Sequence, residues 1–421
     1  MIRFERFAIS AWTVLVMSAS LTVVVPNLHW FATGALLPLL LLNNRRSQKD
    51  IEIPPVFPLA AAILILSMLI VSLQSEESVR DFGQCAKIAL ILLLVLPMVV
   101  RSSARRNALW AGAEAAVYFN VLLIIGGLTI SPLLFGVQAT ARFGTYATPP
   151  GGLWQVGAIG LAASGLLPTS GSRAIKLRRA ICVAASILFI VLDGSRTGIL
   201  VLSAALALYA PRVMGSSLRR PLRTILIALS IVTLAAFATP LIGDFFDDYG
   251  VVTRVRQALE KSGSGTSSVG ALDSARTVMY LTVLNAIEDH PIVGSGLNTT
   301  FVDTEFGTEV VHCSYLQVWA DVGLLGFLAY TTLTQAPLLA ALQHQLHRDQ
   351  EATRDALPAI FLACAWALMG CFHPVSTELT EWIWFFLLIA ALGNCGVYSS
   401  RWTPSVQIPR TGTVRNSTLC A

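Results

Sequence analysis

Three residues far apart in the chain have the chemistry to handle an anionic leaving group and a hydroxyl nucleophile together: Arg196, Arg276 and His312. Two guanidinium groups offer fixed, forked donors that match phosphate oxygens. An imidazole titrates near neutral pH and can take the proton of an attacking hydroxyl. Arg196 stands in Gly194-Ser195-Arg196-Thr197, a break between two apolar runs with no room for a true loop. A cation at such a place marks either a ligand path or a buried ion pair. Asp193, three residues earlier, can neutralise Arg196, or orient it and leave its other donors for a ligand. Arg276 reads equally as a ligand-binding group or as a solvated, headgroup-facing cation. His312 opens "HCSYLQVWADVGLLGFLAY"; at helical spacing it shares a face with Tyr315, Leu316 and Trp319, and Asp321 follows. Between Arg276 and His312 lies "HPIVGSGLNTTF", whose Gly294 and Gly296 serve either an ordinary tight turn or backbone amides aimed at an anion.

The elements that must position these residues are hydrophobic. The chain has 421 residues, 55% hydrophobic and 13% charged, against about 25% charged in a soluble globular protein. The expected fold class is all-α: a polytopic transmembrane helical bundle of about twelve spans. About 20 apolar residues cross a bilayer, and the candidates are 7–25, 28–43, 54–73, 85–100, 108–129, 153–167, 179–193, 198–214, 224–242, 322–342, 357–373 and 381–399. The first run lacks a well-placed cleavage site and reads as a span, not a removed leader. Seven cysteines show no CxxC pattern, so neither a disulfide framework nor a metal site is expected.

Positive charge marks the cytoplasmic side of short loops. With the N-terminus inside, the inside segments hold Arg3 and Arg6; Arg45, Arg46 and Lys49; Arg101, Arg105 and Arg106; Arg173, Lys176, Arg178 and Arg179; and Arg212, Arg219, Arg220 and Arg223. The net charge of +5 is therefore a topology signal, and no nucleic-acid partner is expected. The chain divides into spans one to nine (1–242), an outer loop with short amphipathic helices (243–311), spans ten to twelve (312–400) and a cytoplasmic tail (401–421). Both termini are cytoplasmic, and His312, the break at Arg196 and His373-Pro374 lie outside. In the outer loop, "DDYGVVTRVRQALEK" reads as a short helix. A second helix, capped by Asp273 or Ser274, carries Tyr280, Val283, Leu284 and Ile287 on one stripe, ends before Pro291 and is too short to span.

The ordered set "SR-T-G", then "SAR…AIEDHPIVGSG…TF", then "HCSYLQVWADVGLLG" resembles the O-antigen ligase and polysaccharide polymerase superfamily of bacterial inner membranes, over roughly Gly194 to Gly326. Cys313 stands where many members have asparagine. The resemblance implies a metal-independent, inverting glycosyltransferase of the GT-C type without a cofactor. Its donor would be an undecaprenyl-pyrophosphate-linked glycan, and its acceptor lipid A–core, another glycan repeat or a protein. Membrane lipids would surround it, and the active site would be periplasmic. Carried over by position, Arg196 and Arg276 would bind the donor pyrophosphate, His312 would be the catalytic base, and Tyr315 would line the same site, with Gly294, Gly296 and Asp193 in support. The competing class is a twelve-span secondary transporter or a lipid-linked glycan flippase. Such transporters carry repeat symmetry and broken helices near the midplane, whereas here the two halves are unlike and the polar residues gather at the outer rim.

Overall fold

The structure, a computed structural model, describes residues 2–18, 27–42, 51, 53–75, 77–130, 152–166, 172–193, 195, 197–205, 268–297, 300–304, 307–346, 352–373 and 379–395. Its helices are α1 (Ile2–Met17), α2 (Leu28–Leu42), α3 (Val56–Ser72), α4 (Ser78–Val100), α5 (Ser103–Ile130), α6 (Leu153–Leu166), α7 (Arg173–Asp193), α8 (197–205), α9 (Ser268–Asp289), α10 (Ser314–Leu346), α11 (Ala352–Phe372) and α12 (Leu379–Asn394). The expected runs 28–43, 54–73, 85–100, 108–129, 153–167, 179–193, 322–342 and 357–373 coincide with helices, as do the described parts of 7–25, 198–214 and 381–399, whose remainders lie outside the described residues together with all of 224–242. By length and composition Ser78–Val100, Ser103–Ile125 and Ser314–His344 suffice to cross a membrane; Leu28–Leu42, Val56–Ser72, Leu357–Cys371 and Leu379–Asn394 are shorter apolar helices.

The all-α expectation holds apart from one hairpin. Strands β1 (Phe301–Thr304) and β2 (Gly307–Val310) pair antiparallel, Phe301 opposite Val310 and Thr304 opposite Gly307. Three further expectations are corrected. Helix α9 begins at Ser268, so neither Asp273 nor Ser274 caps it, and its 22 residues make it longer than the short amphipathic piece expected. Its buried stripe is Met279, Val283 and Ile287, while Leu284 is exposed. The segment "DDYGVVTRVRQALEK" lies outside the described residues.

Helix α12 is the centre of the bundle. An all-round apolar helix can be stable only when covered on every side, and residues Leu379 to Gly393 of α12 are buried almost without interruption. Trp12 of α1 stacks on Phe386, Phe57 of α3 meets Phe385, Trp154 of α6 meets Trp384, and Trp366 of α11 meets Trp382, all with ring centroids about 6 Å apart. Lateral faces stay apolar and exposed, as Leu59 and Leu66 on α3 and Leu325 and Leu328 on α10 show, which suits a hydrocarbon solvent.

One end of the bundle is closed by Arg105 and Arg106, which start α5. Both are buried. The last carbonyls of a helix have no partner within it and carry partial negative charge. Arg105 donates to Met98 O (2.7 Å) near the end of α4, to Leu40 O (3.1 Å) near the end of α2, and from Nε to Glu5 of α1. Arg106 donates to Val100 O and Arg101 O (3.0 Å each) and to Asn394 Oδ1 (2.8 Å), the last residue of α12. Residues that read as loop charges thus latch five helices together. Deeper in, buried Glu114 of α5 pairs with Arg178 of α7 and accepts the Tyr118 hydroxyl (2.8 Å). These contacts fix the direction of each helix: α1 and α5 start at the latch, and α2, α4 and α12 end there. The N-terminal end of α12 therefore lies at the far end, with Trp384 against Trp154.

Candidate functional site

His312 lies at that far end. Strand β2 stops at Val310, Val311 is buried, and His312 is exposed. The Cys313 carbonyl then accepts from Gln317 N (3.0 Å) and opens α10 at Ser314. The imidazole therefore precedes the helix instead of sharing a helical stripe with Tyr315, Leu316 and Trp319. The three helical residues diverge. Tyr315 turns into the bundle, where its hydroxyl accepts from Gln335 Nε2 (2.6 Å), its ring meets Tyr330 edge-on, and a Cβ on Gly370 would come within 2.7 Å of it. Cys313, Leu316 and Trp319 instead pack on the cluster of Val283 and Ile287 of α9 with Val311 and Ala320, and Tyr280 joins the same cluster. The apolar stripe of α9 is thus what fastens it beside the start of α10.

The HPIVGSG turn is clamped into a break in α10. At Gly323 the backbone adopts φ 75° and ψ −175°, a region open essentially to glycine. The break frees α10 carbonyls and exposes an amide. Ser295 N donates to Ala320 O (2.7 Å), Gly296 N to Asp321 O (3.1 Å), and Leu324 N to Pro291 O (3.0 Å) and Ile292 O (3.2 Å). Trp319 Nε1 adds a bond to Pro291 O (3.1 Å). Gly294 takes φ 87° because a Cβ there would sit 2.5 Å from Asp321 O. The amides of Gly294, Ser295 and Gly296 all serve backbone bonds, so the tight-turn reading of Gly294 and Gly296 is the one the geometry favours over amides aimed at an anion. The Asp321 carboxylate, buried below the turn, accepts from Thr300 Oγ1 and Gln317 Nε2, both at 3.4 Å.

A second chain of contacts joins the Arg196 break to the start of α10. Asp193 is fully buried at the end of α7, and its Oδ2 accepts from Trp154 N (3.1 Å), capping α6. Ser195 and Thr197 are also buried. Gly198 leaves no room for a side chain: a Cβ would lie 2.9 Å from Trp154 Cβ. The Trp154 ring stacks on His373 (5.5 Å), and the His373 carbonyl accepts the Ser314 hydroxyl (2.7 Å). Residues flanking position 196 and residues flanking His312 are therefore linked through Trp154 and His373.

Arg196 itself lies outside the described residues, and for Arg276 the backbone alone is described, on α9 one turn before Tyr280. Sequence reasoning passed over Trp154, and it quoted Thr300, Ser314 and Gly323 within its motifs without giving them a role. Trp154 had a signal, an aromatic at the start of a short span; the motif position of Gly323 was visible, but not that the backbone breaks there.

Three helices long and apolar enough to cross a membrane, with shorter apolar helices beside them, point to a membrane protein. Residues 180–331 match the family model described as O-antigen ligase. That match supports the O-antigen ligase and polymerase superfamily and, in general terms, a membrane glycan ligase or polymerase. No curated protein sequence matches the chain. The matched segment runs from α7 into α10 and so takes in the Ser195 break, α9, the clamped turn, the hairpin and His312.

Proposed function

We propose that the protein is an inverting, metal-independent glycosyltransferase that passes a glycan from undecaprenyl pyrophosphate to an acceptor hydroxyl at the periplasmic face of the bacterial inner membrane. The acceptor is another lipid-linked repeat, lipid A–core or a protein. Arg196 and Arg276 hold the pyrophosphate and offset the charge that grows on it as the glycosidic bond breaks, a form of electrostatic stabilisation that is often the largest catalytic contribution. His312 takes the proton of the acceptor hydroxyl as that oxygen attacks the anomeric carbon. The bond formed is the new glycosidic bond, the bond broken is that to the phosphate oxygen, and the lipid pyrophosphate leaves.

The observation that carries this reading is the coincidence of the O-antigen ligase match with the far end of the bundle, where exposed His312 stands beside α9 and is linked through Trp154 and His373 to the Ser195–Gly198 segment. The position of His312 opposite the arginine latch supports an outer site, because basic residues concentrate on the latch side. The test is transfer in proteoliposomes from an undecaprenyl-pyrophosphate glycan. Wild type should form product; His312→Ala and Arg276→Ala should insert normally and form none. Unchanged product from His312→Ala would remove the base assignment.

A further inference from the structure

Helix α10 does not run straight. Tyr315 and Gln335 are 20 residues apart, yet Gln335 Nε2 donates to the Tyr315 hydroxyl at 2.6 Å. On a straight helix that separation is roughly 30 Å, at about 1.5 Å per residue, farther than two side chains reach. The rings of Tyr315 and Tyr330 also meet edge-on, with centroids 5.7 Å apart, where a straight helix would hold their backbones roughly 22 Å apart. The chain therefore doubles back at Gly323, whose φ of 75° and ψ of −175° lie off the helix. Residues 314–322 form a short first arm, laid against a longer second arm, 324–346.

His312 hangs from the free end of the first arm. The residue is exposed, so packing does not fix its imidazole, and its place follows from the backbone that carries it. That backbone is held at three points. The HPIVGSG turn clamps the bend through Ala320 O, Asp321 O and Leu324 N. The Ser314 hydroxyl donates to His373 O (2.7 Å) at the end of α11. Tyr315, one residue further on, is tied by its hydroxyl to Gln335 and has its ring against Gly370 of α11. Gln335 is half-buried in a helix apolar enough to cross a membrane. An amide in such surroundings is costly unless it is bonded, and the bond to Tyr315 meets that demand.

We propose that Gln335 is a positioning residue for glycan transfer: bonded to Tyr315, it keeps the first arm of α10 folded back and so sets where His312 meets the acceptor hydroxyl. Gln335 acts through Tyr315, at one remove from the reacting atoms. A general base works only within hydrogen-bond reach of the proton it takes, and a mobile arm would hold it there for a fraction of the time. The proposal rests on the reading of His312 as the base of a glycosyltransferase.

The test is initial-rate transfer in proteoliposomes by the full-length protein, per mole of monodisperse enzyme, over a range of concentrations of an undecaprenyl-pyrophosphate glycan. Gln335→Met keeps the length of the side chain and removes the amide. It should insert, keep the donor KM and lose about ten- to a hundredfold in kcat, the scale on which about 1 Å of misplacement acts. Tyr315→Phe added to it should cost no more than the larger single loss, because both cut one bond. Gln335→Glu, whose carboxylate can accept the Tyr315 hydroxyl, should recover most of the kcat. Thr332→Val is the control on the same arm, since the Thr332 hydroxyl donates to Leu328 O (2.8 Å) within its own helix, and it should keep the wild-type kcat. A wild-type kcat in Gln335→Met overturns the positioning role and leaves the transfer reading standing. An equal loss in Thr332→Val, additive losses in the double variant, or a raised KM at unchanged kcat does the same. Wild type that forms no product overturns both.

Discussion

Replacing Gly323 with alanine tests the clamp that holds the HPIVGSG turn to α10. The backbone at Gly323 has φ 75° and ψ −175°, and a residue with a Cβ pays roughly 1–3 kcal/mol there. The new Cβ would also sit 2.1 Å from Ile292 O and 2.5 Å from Ile292 C. Both contacts are with backbone, which cannot swing aside, so the turn must lift from the break. Lifting it removes the bonds from Ser295 N, Gly296 N and Leu324 N. At about 1 kcal/mol each for a net hydrogen bond, strain and lost bonds together come to roughly 4–6 kcal/mol. Gly34→Ala is the control, since nothing lies within 4 Å of a Cβ there and alanine favours a helix by about 1 kcal/mol over glycine. Thermal unfolding in detergent, followed by monomer yield on size exclusion, reads the stability; glycan transfer in proteoliposomes reads the site. Gly323→Ala should lower the midpoint and lose transfer, while Gly34→Ala should match or exceed wild type in both. Wild-type stability and transfer in Gly323→Ala would refute the clamp.

Further expectations concern the latch and the far end. Arg105→Ala removes the guanidinium from buried Glu5 and from the carbonyls of Leu40 and Met98, a loss of about 3–5 kcal/mol; protease resistance of α1 and α2 in the membrane should fall, and unchanged resistance counts against the latch. Trp154→Ala empties a fully buried ring site and should cost about 3–5 kcal/mol, with transfer falling alongside the thermal midpoint; Trp154→Phe should recover most of both. Arg196→Lys should insert normally yet fail in transfer, because a point charge cannot reproduce a bidentate fork; full transfer by that variant would favour a purely structural pairing with Asp193. Ser314→Ala removes the bond to the His373 carbonyl and should lower the midpoint modestly, by about 1 kcal/mol.

The apolar runs made the helices legible because a bilayer solvent demands a continuous hydrophobic surface with all backbone bonds made internally. The order of the HPIVGSG turn, the HCSY stretch and the SRTG break was equally legible, and it led to the family. Charge was read less well. Arg105 and Arg106 looked like loop cations, since a sequence does not show that five helix ends converge on two guanidinium groups. The hairpin went unread because FVDT and GTEV are four residues each, too short for a clear alternation. His312 was placed on a helical stripe because periodicity runs through any apolar segment, whereas the Cys313 carbonyl decides where α10 begins.

By itself the chain of residues determined a bundle of alternating apolar helices, the side on which cations gather, and the small set of polar side chains free of that pattern. These follow from transfer energies and spacing, which act locally. Tertiary structure alone decided that Trp154 and His373 bridge the break after Asp193 to Ser314, that Gly323 breaks α10 to receive the turn, and that α12 lies at the centre. Those facts depend on which surfaces meet, and close packing between segments distant along the chain is not encoded in any one of them.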